Sequence, residues 1–347
     1  MIRKRVTIRD VAREAAVSMT SVSRHLNGQI TLPEATARRI ERAVETLGYA
    51  PNALARQLSL GASRTLGFVT SDIAYPFFAA IASAAEDEAA RQGYGLMIFN
   101  SRNRIEQELA QIERIANHQI DGLILQTNHP ADPALAEAIN ATGRVVLIDE
   151  DVPGALAPRL FARNAEGGEL ATRHLLDHGH RHIGMICGPD GMSSSIGRKE
   201  GHARAMARAG LLPSPGLILH GAYDEDSGAR AFRHLMERPH PPTALFATAD
   251  VLALGALRAA RDMGLSIPRD VSLISFDDIP NADLLAPPLT TIRQSPEDFG
   301  RGGIRLLLEL IQDGSVLPRQ EHVPVSIIER ASVSAPGPED PPLPRAD

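Results

Sequence analysis

Residues 18–27, SMTSVSRHLN, set small hydroxyl side chains around a single arginine, the donor set of a helix that reads the major groove of DNA. The hydroxyls of Ser18, Thr20, Ser21 and Ser23 can reach phosphates or base edges, and Arg24 can grip guanine O6 and N7 bidentately. Met19 and Asn27 share that outward face, and Val22 and Leu26 recur four residues apart on the other. A second set of chemistry-bearing residues stands at the ends of apolar runs further along the chain. It comprises Ser71, Asp72, Tyr75, Phe77 and Phe78, then Asp149, Arg198, Tyr223, Asp250 and Asp277. Carboxylates and Arg each take several hydroxyls by charge-assisted hydrogen bonds while an aromatic ring covers an apolar face, as a sugar requires. Asp250 also suits a plain helix-capping role before Val251.

Motifs for covalent, metal or cofactor chemistry do not hold up. GMSSSIGRK (191–199) looks like a phosphate loop, but five residues separate its glycines and Arg precedes Lys. His178, His180 and His182 alternate at a strand start with no Cys or carboxylate beside them, which splits their side chains and argues against a metal. There is no GxSxG elbow and no GxGxxG after the first strand. No enzyme activity, cofactor or metal is therefore expected.

The elements that position the first set are short helices. Thr7 is a good N-cap, with Asp10 in the first turn and Ile8, Val11, Ala12 and Ala15 on one face. Ser18 caps the second helix. A third spans 32–48, with Pro33 near its start, Arg38, Arg39 and Arg42 exposed, Ile40, Val44 and Leu47 inward, and Gly48 as its stop. Residues 1–60 carry ten Arg or Lys against five acids, whereas the remainder is 26 basic against 37 acidic. A basic head on an acidic body confines phosphate attraction to the head. The start, MIRKRVTIRD, lacks the apolar run of a signal peptide, and no membrane span is present, so the expected location is the cytoplasm. The single cysteine, Cys187, sits in an apolar run and reads as a buried thiol.

The opening resembles the LacI/GalR family of bacterial transcription regulators. The carrying residues are Thr7, Asp10, Val11, Ala12, Val17, Ser18, Thr20, Val22, Ser23, Arg24 and Asn27, then Gly48, Tyr49, Pro51, Asn52, Ala55 and Leu58. The resemblance implies that 51–63 is a hinge helix, capped by Asn52, that pairs with its dimer mate in the minor groove. Ala55 would permit close helix approach and Leu58 would wedge between base steps.

From Thr65 strand and helix patterns alternate, which prescribes parallel sheets. TLGFVTS, YGLMIFN, IDGLILQ and RVVLID read as one set of buried strands, and HIGMICG, GLILHG, TALFAT and VSLISFD as another. TTIRQS, a helix over 298–312 and HVPVSIIER then cross back to complete both lobes. The expected fold is α/β: a helix-turn-helix head (1–50), the hinge, and a two-lobed, periplasmic-binding-protein-like core of doubly wound parallel sheets (64–333). Lobe 1 takes about 64–161 and 293–320, lobe 2 about 162–292 and 321–333, and 334–347, rich in Pro and charge, is expected to be disordered.

By resemblance, Phe77, Asp149, Arg198, Tyr223 and Asp277 match family effector-site positions. Ala249 departs from the Asn of many sugar-responsive members, and Arg163 stands before Asn164 where Asp is common. A second arginine there would favour an anionic effector such as a sugar acid, against a neutral sugar or nucleoside-type ligand. The resulting expectation is a homodimeric repressor of carbohydrate or sugar-acid genes, bound to a palindromic double-stranded operator and controlled by a small polar metabolite in the interlobe cleft. The rival is a periplasmic-type solute-binding protein or α/β enzyme with incidental N-terminal helices.

Overall fold

A computed structural model describes residues 6–27, 30–49, 62–129, 132–314 and 318–337. The chain divides into two compact units, Met1–Arg64 and Thr65–Asp347. The expected hinge residues Asn52, Ala55 and Leu58 lie outside the described residues.

The first unit holds α1 (Ile8–Glu14), α2 (Met19–Leu26) and α3 (Glu34–Leu47). Thr7 opens α1, its backbone N and its Oγ1 donating to Asp10 Oδ2 at 3.0 and 2.7 Å. Ser18 opens α2 by accepting from Ser21 N at 3.1 Å, which satisfies one orphan donor of the first turn. Gly48, at φ +62°, ends α3 in the left-handed region where glycine costs nothing. Val11, Ala12, Ala15, Val22, Ile40 and Ala43 form the small core.

The second unit begins with β1 (Thr65–Thr70), α4 (Pro76–Arg91), β2 (Gly95–Asn100), α5 (Ile105–Ala116), β3 (Gly122–Leu125), α6 (Pro133–Thr142), β4 (Val145–Ile148) and β5 (Arg159–Ala162). There follow α7 (Asn164–Asp177), β6 (Ile183–Cys187), α8 (Ser193–Arg208), β7 (Ile218–His220), α9 (Glu225–Met236), β8 (Ala244–Ala247), α10 (Asp250–Asp262), β9 (Ser272–Asp277) and β10 (Thr290–Gln294). Last come α11 (Pro296–Asp313), β11 (Gln320–Val323) and β12 (Val325–Ile328). Two six-stranded sheets result, ordered β11-β5-β4-β3-β1-β2 and β12-β10-β9-β8-β6-β7. Every pairing is parallel except β10 with β12. The central strands β3, β4, β8 and β9 are buried throughout, as strands covered by helices on both faces must be.

Three features differ from the sequence reading. β5, RLFA, joins the first sheet although it was not read as a strand, and it pairs with β4 and β11. HVPVSIIER is two strands in different sheets, because Pro324 has no N–H to continue a ladder and the chain changes lobes there. The last crossing therefore falls at Pro324 rather than at 321. The expected disordered tail starts too early at 334: Ser334 O accepts from His180 Nε2 at 2.8 Å, and Ser334 N donates to Ser272 Oγ at 3.1 Å. Residues 338–347 lie outside the described residues.

Helices α7 and α8 touch backbone to backbone. A Cβ on Gly201 would sit 2.1 Å from Ala165 O, and one on Gly168 only 2.2 Å from Arg198 O. That contact fixes the stretch of α8 that carries Arg198.

Candidate functional site

On the first unit, Met19, Thr20 and Arg24 are exposed along α2, with Ser21, Ser23 and Asn27 half-buried beside them. Thr7, Ser18 and Ser21 hydroxyls are engaged in the caps of α1 and α2, where Ser18 Oγ also lies 2.9 Å from Ser21 Oγ. The side chains left open to a partner are Met19, Thr20 and Arg24, on a helix that starts with an uncompensated positive dipole end.

In the second unit the carboxyl ends of both sheets face a common cavity of about 490 Å³, in the size range of small-molecule sites. The first lobe supplies Tyr75, Phe77, Phe78 and Asp149; the second supplies Ser194, Arg198, Tyr223, Asp277 and Gln294. The two strand-end aspartates sit at positive φ, Asp149 at +68° and Asp277 at +123°. Such backbone costs roughly 1–3 kcal/mol and persists where surroundings over-determine it. At Asp277 those surroundings are Gln294 Nε2, donating to Oδ1 at 2.7 Å, and the Tyr75 hydroxyl, donating to Oδ2 from the opposite lobe.

Arg198 is buried and spans the site. Its Nε donates to Asn164 Oδ1 at 2.9 Å, Nη1 donates to the Thr248 carbonyl and lies 3.9 Å from Asp277 Oδ1, and the guanidinium stacks 3.7 Å from the Phe276 ring centroid. One further bridge joins the lobes. The Glu150 carboxylate accepts from Ser193 N at 2.7 Å and Ser193 Oγ at 2.6 Å, and from the N and Oγ of Ser194.

One guanidinium thus faces Asp149, Glu150 and Asp277. Burial pushes Asp149 up to about 7, and the neighbouring charge of Glu150 adds to this while Arg198 opposes it. Burial raises Asp277 too, opposed by Arg198, Tyr75 and Gln294, and raises Glu150 against the Ser193 and Ser194 hydrogen bonds. No hydrogen bond reaches the Asp149 carboxylate among the described residues, and Gln294 Oε1 is a buried acceptor without a partner there. The Asp149 carboxylate is therefore an open acceptor for a ligand that brings donors.

Phe77, Asp149, Arg198, Tyr223 and Asp277 line the cavity together; Arg163 and Asp250 do not. Arg163 points to solvent and pairs with Glu166 at 3.3 Å, because its position is the turn into α7 rather than a strand end. Asp250 is fully buried in the first turn of α10, accepting from Ser275 Oγ, from Thr291 Oγ1 at 2.9 Å and from Ile279 N at 2.8 Å. Its oxygens are used in holding β9 and β10 to that helix. Tyr75, expected from its place after the first strand, lines the cavity as well, whereas Glu150, Ser194 and Gln294 were not among the expected site residues. The serine run before Gly197 was the available signal for Glu150: it is the start of α8, and the anion it holds comes from the chain itself. The three histidines of HGHRH go separate ways, to the His174 carbonyl, to Thr243 and Ser272, and to the His240 carbonyl. Among the described residues no group of three or more His, Cys, Asp or Glu could hold a metal ion. Cys187 is buried, its thiol pushed up to about 12 by burial.

A DNA-reading helix pair and a two-lobed cleft define a ligand-responsive regulator of transcription. The chain matches the model of bacterial regulatory proteins of the lacI family over residues 7–52 and that of a periplasmic binding protein-like domain over 172–333. It is 35% identical over 330 residues to the HTH-type transcriptional repressor PurR of Escherichia coli O139:H28, covering 94% of this chain and 97% of the relative. Among solved structures, the Lac repressor dimer bound to operator and the anti-inducer ONPF matches with a TM-score of 0.84 at 28% identity, covering 96% of this chain and all of the other. The CelR–cellobiose complex matches at 0.72 and 30%, covering 94% and all of that chain. The chain belongs to the LacI family. It is a DNA-binding transcriptional repressor, not an enzyme, and the solute-receptor alternative is not favoured.

Proposed function

We propose that this repressor senses a neutral, hydroxyl-rich ring, a sugar or its glycoside, in the interlobe cleft. The observation that carries this is the cavity wall itself: an open acceptor at Asp149, one guanidinium already shared with Asp277, and aromatic faces from Phe77, Phe78 and Tyr223. An acid-rich wall disfavours the sugar acid considered from sequence, whose supporting arginine, Arg163, lies outside the cavity. The cellobiose bound by CelR supports a carbohydrate ligand.

The ligand acts by binding one relative lobe orientation better than the other, since only differential affinity shifts an equilibrium. The chain works as a homodimer on a palindromic operator in the cytoplasm, a reading supported by the operator-bound Lac repressor dimer. Met97 and Ile98, exposed on the outer edge strand β2, supply apolar area for a second copy. Thr7, Ser18, Met19, Thr20, Ser21, Ser23, Arg24 and Asn27 form the operator-facing surface, joined by Asn52, Ala55 and Leu58 of the hinge. A thermal-shift screen of sugars, sugar acids and purines, followed by operator anisotropy with each hit, tests the reading. Stabilisation by sugar acids alone, or hits that leave Arg198→Met equally stabilised, would overturn it.

A further inference from the structure

Glu150 is a first-lobe side chain that occupies the N-terminus of a second-lobe helix. It is 1% exposed, and its two oxygens take the first two backbone N–H groups of α8 together with the hydroxyls of Ser193 and Ser194. The N-terminus of a long helix is an anion-binding position, through its free N–H groups and its dipole. Here that position opens toward the effector cavity, since Ser194 lines the cavity and its Oγ lies 3.1 Å from the Tyr223 hydroxyl. The backbone N–H of Asp151 adds a further contact, to Ser193 Oγ at 3.3 Å.

We propose that Glu150 is a built-in anion: it latches the lobes together across the cleft and, by filling the anion-binding N-terminus of α8 on the cavity wall, selects against an anionic effector. The second half of this rests on the cleft being the effector site; the latch does not. Two features argue for it. The carboxylate is satisfied wholly by groups of the other lobe, so separating the lobes strips a buried charge of all its donors at once. Asp149, adjacent in the chain and also buried, presents a second carboxyl group to anything entering beside Glu150. A ligand phosphate or carboxylate would meet both, and would find the donors of α8 taken.

Inorganic sulfate is the probe, because it fits a vacated helix N-terminus whatever the natural effector is. In full-length Glu150→Ala, sulfate at low millimolar concentration should raise the melting temperature in a saturable manner, as expected for a ligand that binds the folded state, while wild type shows only the weak, non-saturating response common to all proteins. Small-angle scattering of the same samples should show the alanine variant more extended without sulfate and returned toward wild type with it. Glu150→Ser carries the same reading should the alanine chain fail to melt cooperatively. No saturable sulfate effect in either variant, or an equal one in wild type, overturns the latch. For the selectivity half, the ratio of dissociation constants for gluconate over glucose should fall by about tenfold in Glu150→Gln, which keeps the volume and loses the charge. An unchanged ratio, or the absence of binding by either sugar, overturns that half, while a positive sulfate result leaves the latch standing.

Discussion

The Tyr75 hydroxyl donates to the carboxylate of Asp277, and the two residues belong to different lobes. The Asp277 carboxylate of the second lobe is thus already engaged by a donor from the first. An incoming hydroxyl competes with the protein for Asp277.

Tyr75→Phe should therefore tighten effector binding. Removing a competing hydrogen bond to a charged group is worth about 1.5–3 kcal/mol at most, so calorimetry should show an affinity gain of up to about a hundredfold. A weaker effector would mean that Tyr75 belongs to the liganded arrangement instead.

Arg198→Met should abolish the response to effector and also lower stability. Loss of the guanidinium leaves Asn164 Oδ1 without its donor and Asp277 without its ion-pair partner, and breaking a buried charge pair from one side costs about 3–5 kcal/mol. Denaturant melts check the stability, and operator anisotropy with effector checks the response.

Stability should fall as pH rises from mildly acidic to neutral. Asp149 and Asp250 each have a native pKa of about 7 against an ordinary 3.8, so in that window the native state holds more protons than the unfolded state. The slope of unfolding free energy with pH is then negative, and the contribution present at acid pH is lost by about pH 7. Urea midpoints at about pH 5 and about pH 8 should lie closer together in Asp149→Asn than in wild type, though not coincide, because Asp250 remains. An unaltered gap would mean that Asp149 is ionised throughout.

Arg24→Ala should cost about 1–3 kcal/mol on the cognate operator and relax preference at one base pair. Equal losses on specific and random DNA would reduce Arg24 to a phosphate contact. Exchanging Met19 and Thr20 should change which operator is selected.

Gly201→Ala should destabilise the core by about 2–3 kcal/mol, since the new methyl meets the backbone of α7, which cannot turn aside as a side chain could. Denaturant melts measure this directly; a cost under about 0.5 kcal/mol would show that α7 and α8 separate readily.

Local patterns carried most of the fold. Thr7, Ser18 and Gly48 mark helix ends by chemistry that acts within three or four residues, and the continuous apolar runs of β3, β4, β8 and β9 follow from burial on both faces. What was not legible depends on distant partners. Arg159–Ala162 is too short and too mixed to read as a strand until β4 and β11 flank it. The serine run of 193–195 reads as a loop until Glu150 supplies the anion that starts a helix there. The helix start at Val251 hinted that Asp250 differs from Asp277, which faces the cavity, but not that its three donors come from Ser275, Ile279 and Thr291.

The chain passes between the lobes at three places, near Arg163, Ser295 and Pro324, and the first and last are tied where Arg163 N donates to Val323 O at 3.1 Å. Three strands side by side resist twisting and shear far more than bending, so the lobes are left with essentially one mechanical coordinate. Every small molecule the cleft admits then reports on the same angle, pushing it one way or the other. Whether a ligand relieves or reinforces repression becomes a matter of sign along a single axis, which a few substitutions at the cleft wall could reverse without redesigning the fold.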